Sequence, residues 1–342
     1  MEITTIGLDI AKNVFQVHAE DCAGRVVFRK RLRRAQVLEF FAALPSRCVI
    51  GLEACASAHY WARELAKLNH VVRLVPPAYV KAYVKRGKND AIDAEAICEA
   101  VRRPNMRFVP IKSIENQAVL VLHRVRGQLI RQRTKLSNML RAHIGEFGLV
   151  APRGKLLELV AIIADAGDER LPRMARIALQ EVVAELDTLE RRIETFEKEI
   201  IAFHKSNAVS RRLASIPGIG PITATAIAAS VPDANGFESG RHFAAWLGLT
   251  PKDHSTGAKQ RLGRISKMGN GHLRSLLVVG ATSVLNRARK GSAPIHAWMR
   301  KLLLRRPPRL VTVAYANKMA RTAWAVMARA EVYRPEMALP RQ

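Results

Sequence analysis

The chain has 342 residues, with 56 Lys and Arg against 29 Asp and Glu, a formal net charge of +27. Apolar residues make up 49%, enough to fill real cores, which excludes a disordered basic tail; at roughly 100–200 residues per domain the length points to two or three domains. A positive surplus of this size points to a polyanionic partner, nucleic acid or an anionic membrane.

The opening MEITTIGLDIAK has an acid at position 2 and lacks the basic-then-apolar layout of a secretion signal. The longest uncharged stretch, 213–232, is interrupted by Pro217, Gly218, Gly220 and Pro221. That leaves only about ten helical residues, too few to span a bilayer, so no membrane partner is expected. The cysteines, Cys22, Cys48, Cys55 and Cys98, form no CxxC pair. A zinc site and a disulfide framework are therefore not expected, and a cytoplasmic location is.

In chain order, residues 3–10, 14–18 and 26–28 read as an antiparallel meander turning near 21–24. A helix follows at 35–43, a short apolar strand at 48–53, a helix at 57–68 and a strand at 71–75. Another helix begins near residue 89 and runs to about 101. Three strands, then helix, strand, helix, strand and helix is the order of an RNase H-like sheet. Residues 115–144 hold no proline and form a long helix. From Leu179 through Val182, Leu186, Leu189, Ile193, Phe196 and Ile200 to Phe203, apolar residues alternate spacings of three and four. That is an a/d heptad seam. It suits a coiled coil, with a second protomer or with the preceding helix, and also an amphipathic helix docked on its own domain.

The stretch SIPGIGPITATAIAA at 215–229 has the pattern of a helix–hairpin–helix. Gly218 and Gly220 would let the turn approach a phosphate; the alternative is a tight turn between core helices. A polar basic loop spans 250–270, and basic helices follow at 271–290 and 314–331. Net charge is +7 over residues 1–110, +4 over 111–172, −1 over 173–207 and +17 over 208–342. The last segment is therefore the best candidate for gripping a phosphate backbone.

Two constellations bear chemistry. Asp9 ends the first strand and Glu53 ends the fourth, while Asp90 and Asp93 lie one turn apart on a helix. In an RNase H-like sheet the ends of those strands are neighbours and the helix packs across them, so the four carboxylates converge. Such a cluster needs cations, and two Mg²⁺ ions, with Mn²⁺ as a substitute, meet that need in phosphoryl chemistry. Singly, Asp90 reads equally as a helix cap and Asp93 as a first-turn acid. The second constellation is the loop GLTPKDHSTGAKQRLGRISKMGN. Ser255, Thr256 and Ser266 stand among Lys252, Lys259, Arg261, Arg264 and Lys267. One serine attacks a phosphodiester while the cations stabilise the developing charge, or the loop only holds phosphates. Arg274, on the next helix, joins the phosphate-binding set.

These residues resemble the insertion-sequence 110 family of transposases, the DEDD transposases, over essentially the whole length and in order. The matching motifs are GLDIAK, GLEA, KNDAIDAEAICEAV, IPGIGPITATA, FAAWLGLTPKDHSTGAKQRLGRISKMGN and ANKMARTAWAVM. The resemblance implies a RuvC-like nuclease domain (1–112), a helical coiled-coil region (113–207) and a mainly α-helical C-terminal transposase domain (208–342). It implies that Asp9, Glu53, Asp90 and Asp93 bind Mg²⁺. It places the nucleophile, which forms a covalent phosphoserine link, on Ser255, with Ser266 as the alternative. It also implies donor and target DNA selected by a structured guide (bridge) RNA, and dimers that pair into tetramers with sites shared between protomers. Thr256 and Ala258 stand where Ser and Gly are commoner, and Asn270 where an acid is usual.

Overall fold

The computed structural model describes residues 2–45, 47–85, 90–151, 156–256, 261–290 and 297–334. Lys259 and Ala258 lie outside them. The chain divides into two compact units, Met1–Ser113 and Ile114–Gln342.

The first unit is built on strands β1 (Thr5–Asp9), β2 (Val14–Glu20), β3 (Val26–Arg33), β4 (Val49–Glu53) and β5 (Val71–Val75) in the order β3-β2-β1-β4-β5. β1, β2 and β3 are antiparallel neighbours, whereas β4 and β5 run parallel to β1. Strand alternation sends Ile6, Leu8, Ile50, Leu52 and Leu74 to one face. There they bury against Val37 and Phe41 of α1 (Val37–Ala42) and Trp61 and Leu65 of α2 (Ala58–Lys67). After the short α3 (Pro77–Val80), α4 (Asp90–Val101) covers the other face through Ile97 and Val101. This mixed sheet, covered on both faces, is consistent with the RNase H-like arrangement expected from element order.

The second unit is mainly helical. α5 (Ile114–Gly145) and α7 (Arg173–Ser206) flank α6 (Leu156–Ala164). α5 and α7 run antiparallel: Arg126 pairs with Glu197 at 2.5 Å, Leu129 clusters with Leu189 and Ile193, and Leu140 clusters with Leu179 and Leu186. The heptad seam is thus buried within the chain against the earlier long helix. α8 (Ala208–Ala214) and α9 (Pro221–Ser230) are the two helices of the segment read as a helix–hairpin–helix, and the turn between them packs Gly218 against Met319 and Gly280, as the alternative of a tight turn between core helices has it. α9 packs on α5, α7 and α11 (Gly271–Arg289). α10 (Gly240–Trp246) and α13 (Pro308–Arg329) complete the core around Phe243, Leu277 and Met319, and α12 (Ala297–Leu303) packs on α13. The segment read from sequence as a continuous loop contains a small hairpin, β6 (Pro251–Asp253) with β7 (Leu262–Ile265). Among the described residues no helix is long and apolar enough to cross a membrane.

Candidate active site

The four acids are brought together by what their strands lack. Gly7 and Gly51 sit opposite each other in the β1–β4 register, and each lies two residues before an acid. Side chains two apart share a face, so Gly7, Asp9, Gly51 and Glu53 all face α4. A Cβ on Gly7 would stand 2.0 Å from the Ala94 carbonyl oxygen and 2.6 Å from the Cys98 nitrogen, and one on Gly51 would stand 2.9 Å from Val101 Cβ. The helix backbone therefore lies directly on the sheet. Its first turn, with Asp90 and Asp93, reaches the carboxyl ends of β1 and β4.

The far end of α4 is pinned by a partly buried ion pair. Arg102 donates to Glu20 Oε2 at 2.6 Å, and Glu20 Oε1 lies 3.1 Å from His18 Nε2. Near the site, Glu95 is held by Arg29 and Lys85.

The electrostatics record the convergence. Burial pushes the Asp9 carboxyl up to about 6, and the charges of Asp93, Asp90 and Glu53 push the same way, against a hydrogen bond from the Ile10 amide. Burial and then Asp93 also raise Glu53. Among the described residues, however, no three His, Cys, Asp or Glu side chains close on one ion-sized point. An all-carboxylate donor set suits a hard divalent cation such as Mg²⁺ or Mn²⁺ rather than a soft one.

In the second unit, Ser255 follows β6 and is exposed. Its hydroxyl hydrogen-bonds to Asp253 Oδ1, which also accepts from the Ser255 amide at 2.9 Å. The Arg261 amide donates to Ser255 Oγ at 3.1 Å. The Ser255 hydroxyl, then its amide, hold the Asp253 carboxyl below its ordinary range. Sequence reading passed over Asp253, although its place two residues before the serine was the available signal. Ser266 is half-buried; its amide donates to the Thr250 carbonyl at 2.9 Å, and its Oγ receives the Met268 amide at 3.4 Å.

Other expected nucleic-acid residues divide. Arg261 and Arg264 are exposed on the hairpin, and Lys267 in the turn after it. Arg274 donates to the carbonyls of Leu247 at 2.8 Å and Met268 at 2.9 Å, and so ties down the base of the hairpin. Asn270, where an acid is usual, caps α11 by accepting from the His272 and Leu273 amides, both at 3.1 Å. Gly218, at φ +93°, packs inward: a Cβ there would stand 2.9 Å from Met319 Cε and 3.1 Å from the Gly280 oxygen. Gly220 has open space around it.

Residues 210–296 match a family model described as the transposase IS116/IS110/IS902 family. Residues 6–148 match a transposase model of the DEDD type from IS110 elements. A protein described as a probable family 20 transposase from Pseudomonas aeruginosa is 51% identical over 98% of this chain and all of its own length. The transposase for insertion sequence element IS1328 of Yersinia enterocolitica is 39% identical over 97% of this chain and 98% of its own. The corresponding protein of element IS1111A from Coxiella burnetii is likewise 39% identical, over 97% and 92%.

Proposed function

The chain belongs to the IS116/IS110/IS902 family of transposases, the transposases of insertion elements, and from that premise we propose that it cuts and rejoins DNA with two sets of groups: the acids Asp9, Glu53, Asp90 and Asp93, and the nucleophile Ser255. The observation that carries the reading is geometric: the β1–β4 register puts Asp9 and Glu53 on the sheet face that α4 covers, at the end reached by its first turn with Asp90 and Asp93, and burial, then these neighbouring charges, raise Asp9. Asp9, Glu53, Asp90 and Asp93 would hold divalent ions, which when bound would supply charge neutralisation for the carboxylates and for the scissile phosphate.

The serine acts by transesterification. Asp253 accepts the Ser255 proton as Oγ attacks phosphorus; the new P–Oγ bond forms as the bond to a deoxyribose oxygen breaks, and that oxygen takes the proton. The phosphoserine link conserves the bond energy, so a deoxyribose hydroxyl from another strand reverses the step and joins the new partner. Ser255 suits this role better than Ser266, because its hydroxyl is exposed and already bonded to a carboxylate. The exposed Arg261, Arg264 and Lys267 hold the DNA, and Lys259 of the same loop belongs with them. We also assign the protein a guide RNA and self-association as a dimer that pairs into a tetramer.

The test is cleavage of labelled element DNA by the full-length protein with the element's RNA and Mg²⁺. Asp9→Asn and Ser255→Ala each abolish cleavage if this account holds. If Ser255→Ala cleaves like wild type, the enzyme hydrolyses with activated water and the serine assignment fails.

A further inference from the structure

A cleft of about 1390 Å³ opens in the second unit between β7, α10, α12 and α13. It exceeds the ~300–1,000 Å³ that encloses a small ligand, and so suits a segment of polymer. Eight Lys and Arg residues line it against one acid, Glu331. They include Arg264 and Lys267 beside the Ser255 hairpin, Arg241 of α10 and Arg321 of α13. Among the described residues no carboxylate pairs with these four. The floor is apolar, with Leu310, Val313 and Val326, and Trp298 stands at the edge, 38% exposed. Lys318 Nζ lies 5.3 Å from the centre of the Trp298 ring.

We propose that this cleft receives an unpaired segment of the DNA strand, with its phosphates on the cationic walls and a base stacked on Trp298. The argument is complementarity. Duplex DNA offers phosphates and base edges, because its base faces are covered by their neighbours. A duplex covers its own base faces and gives the apolar floor nothing to pack against; an unpaired base packs on that floor beside the Trp298 indole, and its phosphates meet the cations. The occupant is DNA because β7, which lines the cleft, belongs to the hairpin that presents Ser255. In this the proposal rests on the reading of that hairpin as the one handling the scissile strand.

The test is fluorescence anisotropy of the full-length protein with one labelled oligodeoxynucleotide, presented single-stranded and as a duplex, and with the RNA of the same sequence. Trp298→Ala raises the Kd for single-stranded DNA roughly tenfold or more, Trp298→Phe restores most of the affinity, and duplex binding changes less than about twofold. Unchanged thermal melting of both variants shows that the fold is intact. An equal loss on duplex, or no loss on the single strand, overturns the proposal. A loss confined to the RNA overturns the choice of DNA. A wild-type protein that forms no covalent adduct but shows Trp298-dependent binding would sink the nucleophile and leave the cleft. An adduct without Trp298-dependent binding would do the opposite.

Discussion

At the scale of single residues, the site depends on groups that carry no chemistry. Gly7 lets the backbone of α4 touch the sheet, and a methyl there meets the Ala94 carbonyl oxygen at 2.0 Å. Backbone cannot swing aside as a side chain does, so Gly7→Ala forces α4 away. The expected cost is about 1–3 kcal/mol, the scale of overpacking, seen as a lowered Tm in calorimetry, with metal-dependent cleavage falling further because Asp90 and Asp93 move with the helix. A variant that melts and cleaves like wild type would remove the contact from the account. Asp253, by contrast, does carry chemistry in this account. If it takes the serine proton, Asp253→Asn slows strand cleavage by roughly 10²–10⁴-fold with DNA affinity unchanged, and the loss shrinks at high pH as hydroxide substitutes. The four acids were legible in the sequence, because spacing and strand order are enough to bring them to one place. The glycines beneath them were not read, since nothing in a residue without a side chain announces which backbone will lie on it.

At the scale of elements, periodic segments were easier to read than aperiodic ones. All five strands of the large sheet, α4 and the long helices were visible because alternation and heptad spacing are properties of the sequence itself. The β6–β7 hairpin was not: its strands are three and four residues long, nearly all exposed, and drawn from a basic composition that reads as loop. The partner of the heptad seam was equally hidden, because an apolar stripe records that it must be covered and not by what. The buried polar contacts of the helices add a pH dependence. His123 of α5 lies 3.0 Å from Thr225 Oγ1 of α9, and Thr225 donates to the Pro221 carbonyl. The imidazole therefore donates through Nε2, and its buried Nδ1 has no partner among the described residues. Burial, with the charges of His272 and Arg126, pulls its pKa down to about 4. The unfolded chain takes up this proton near pH 6.5 and the folded chain does not, so the stability is present above about 6.5 and is lost as pH falls toward 4. The loss at pH 5 is on the order of 2 kcal/mol, and His123→Gln flattens that part of the Tm–pH curve. An unchanged curve would mean that His123 titrates normally.

At the scale of the whole molecule, the net charge of +27 is distributed by task. Residues 208–342 carry +17 and include both the Ser255 hairpin and the basic cleft, whereas the α7 segment, spent on helix packing, is nearly neutral. In the first unit, Asp9, Glu53, Asp90 and Asp93 lie within reach of one another's charge, and the charge partners proposed for them are metal ions rather than Lys or Arg. A protein that neutralises many phosphates releases as many counterions. DNA affinity is therefore expected to fall at least about a hundredfold between ~50 and ~200 mM salt, and a flat binding isotherm series would contradict that.

The central claim is that DNA is cut by Ser255 and not by water. It is tested most directly by trapping the reaction of the full-length protein in denaturant, digesting it, and locating any nucleotide-bearing peptide by mass spectrometry. The account predicts a nucleotide esterified to Ser255, retained in Ser266→Ala and absent from Ser255→Ala. Cut DNA with no protein attached, or a nucleotide mapped to any other residue, would contradict it.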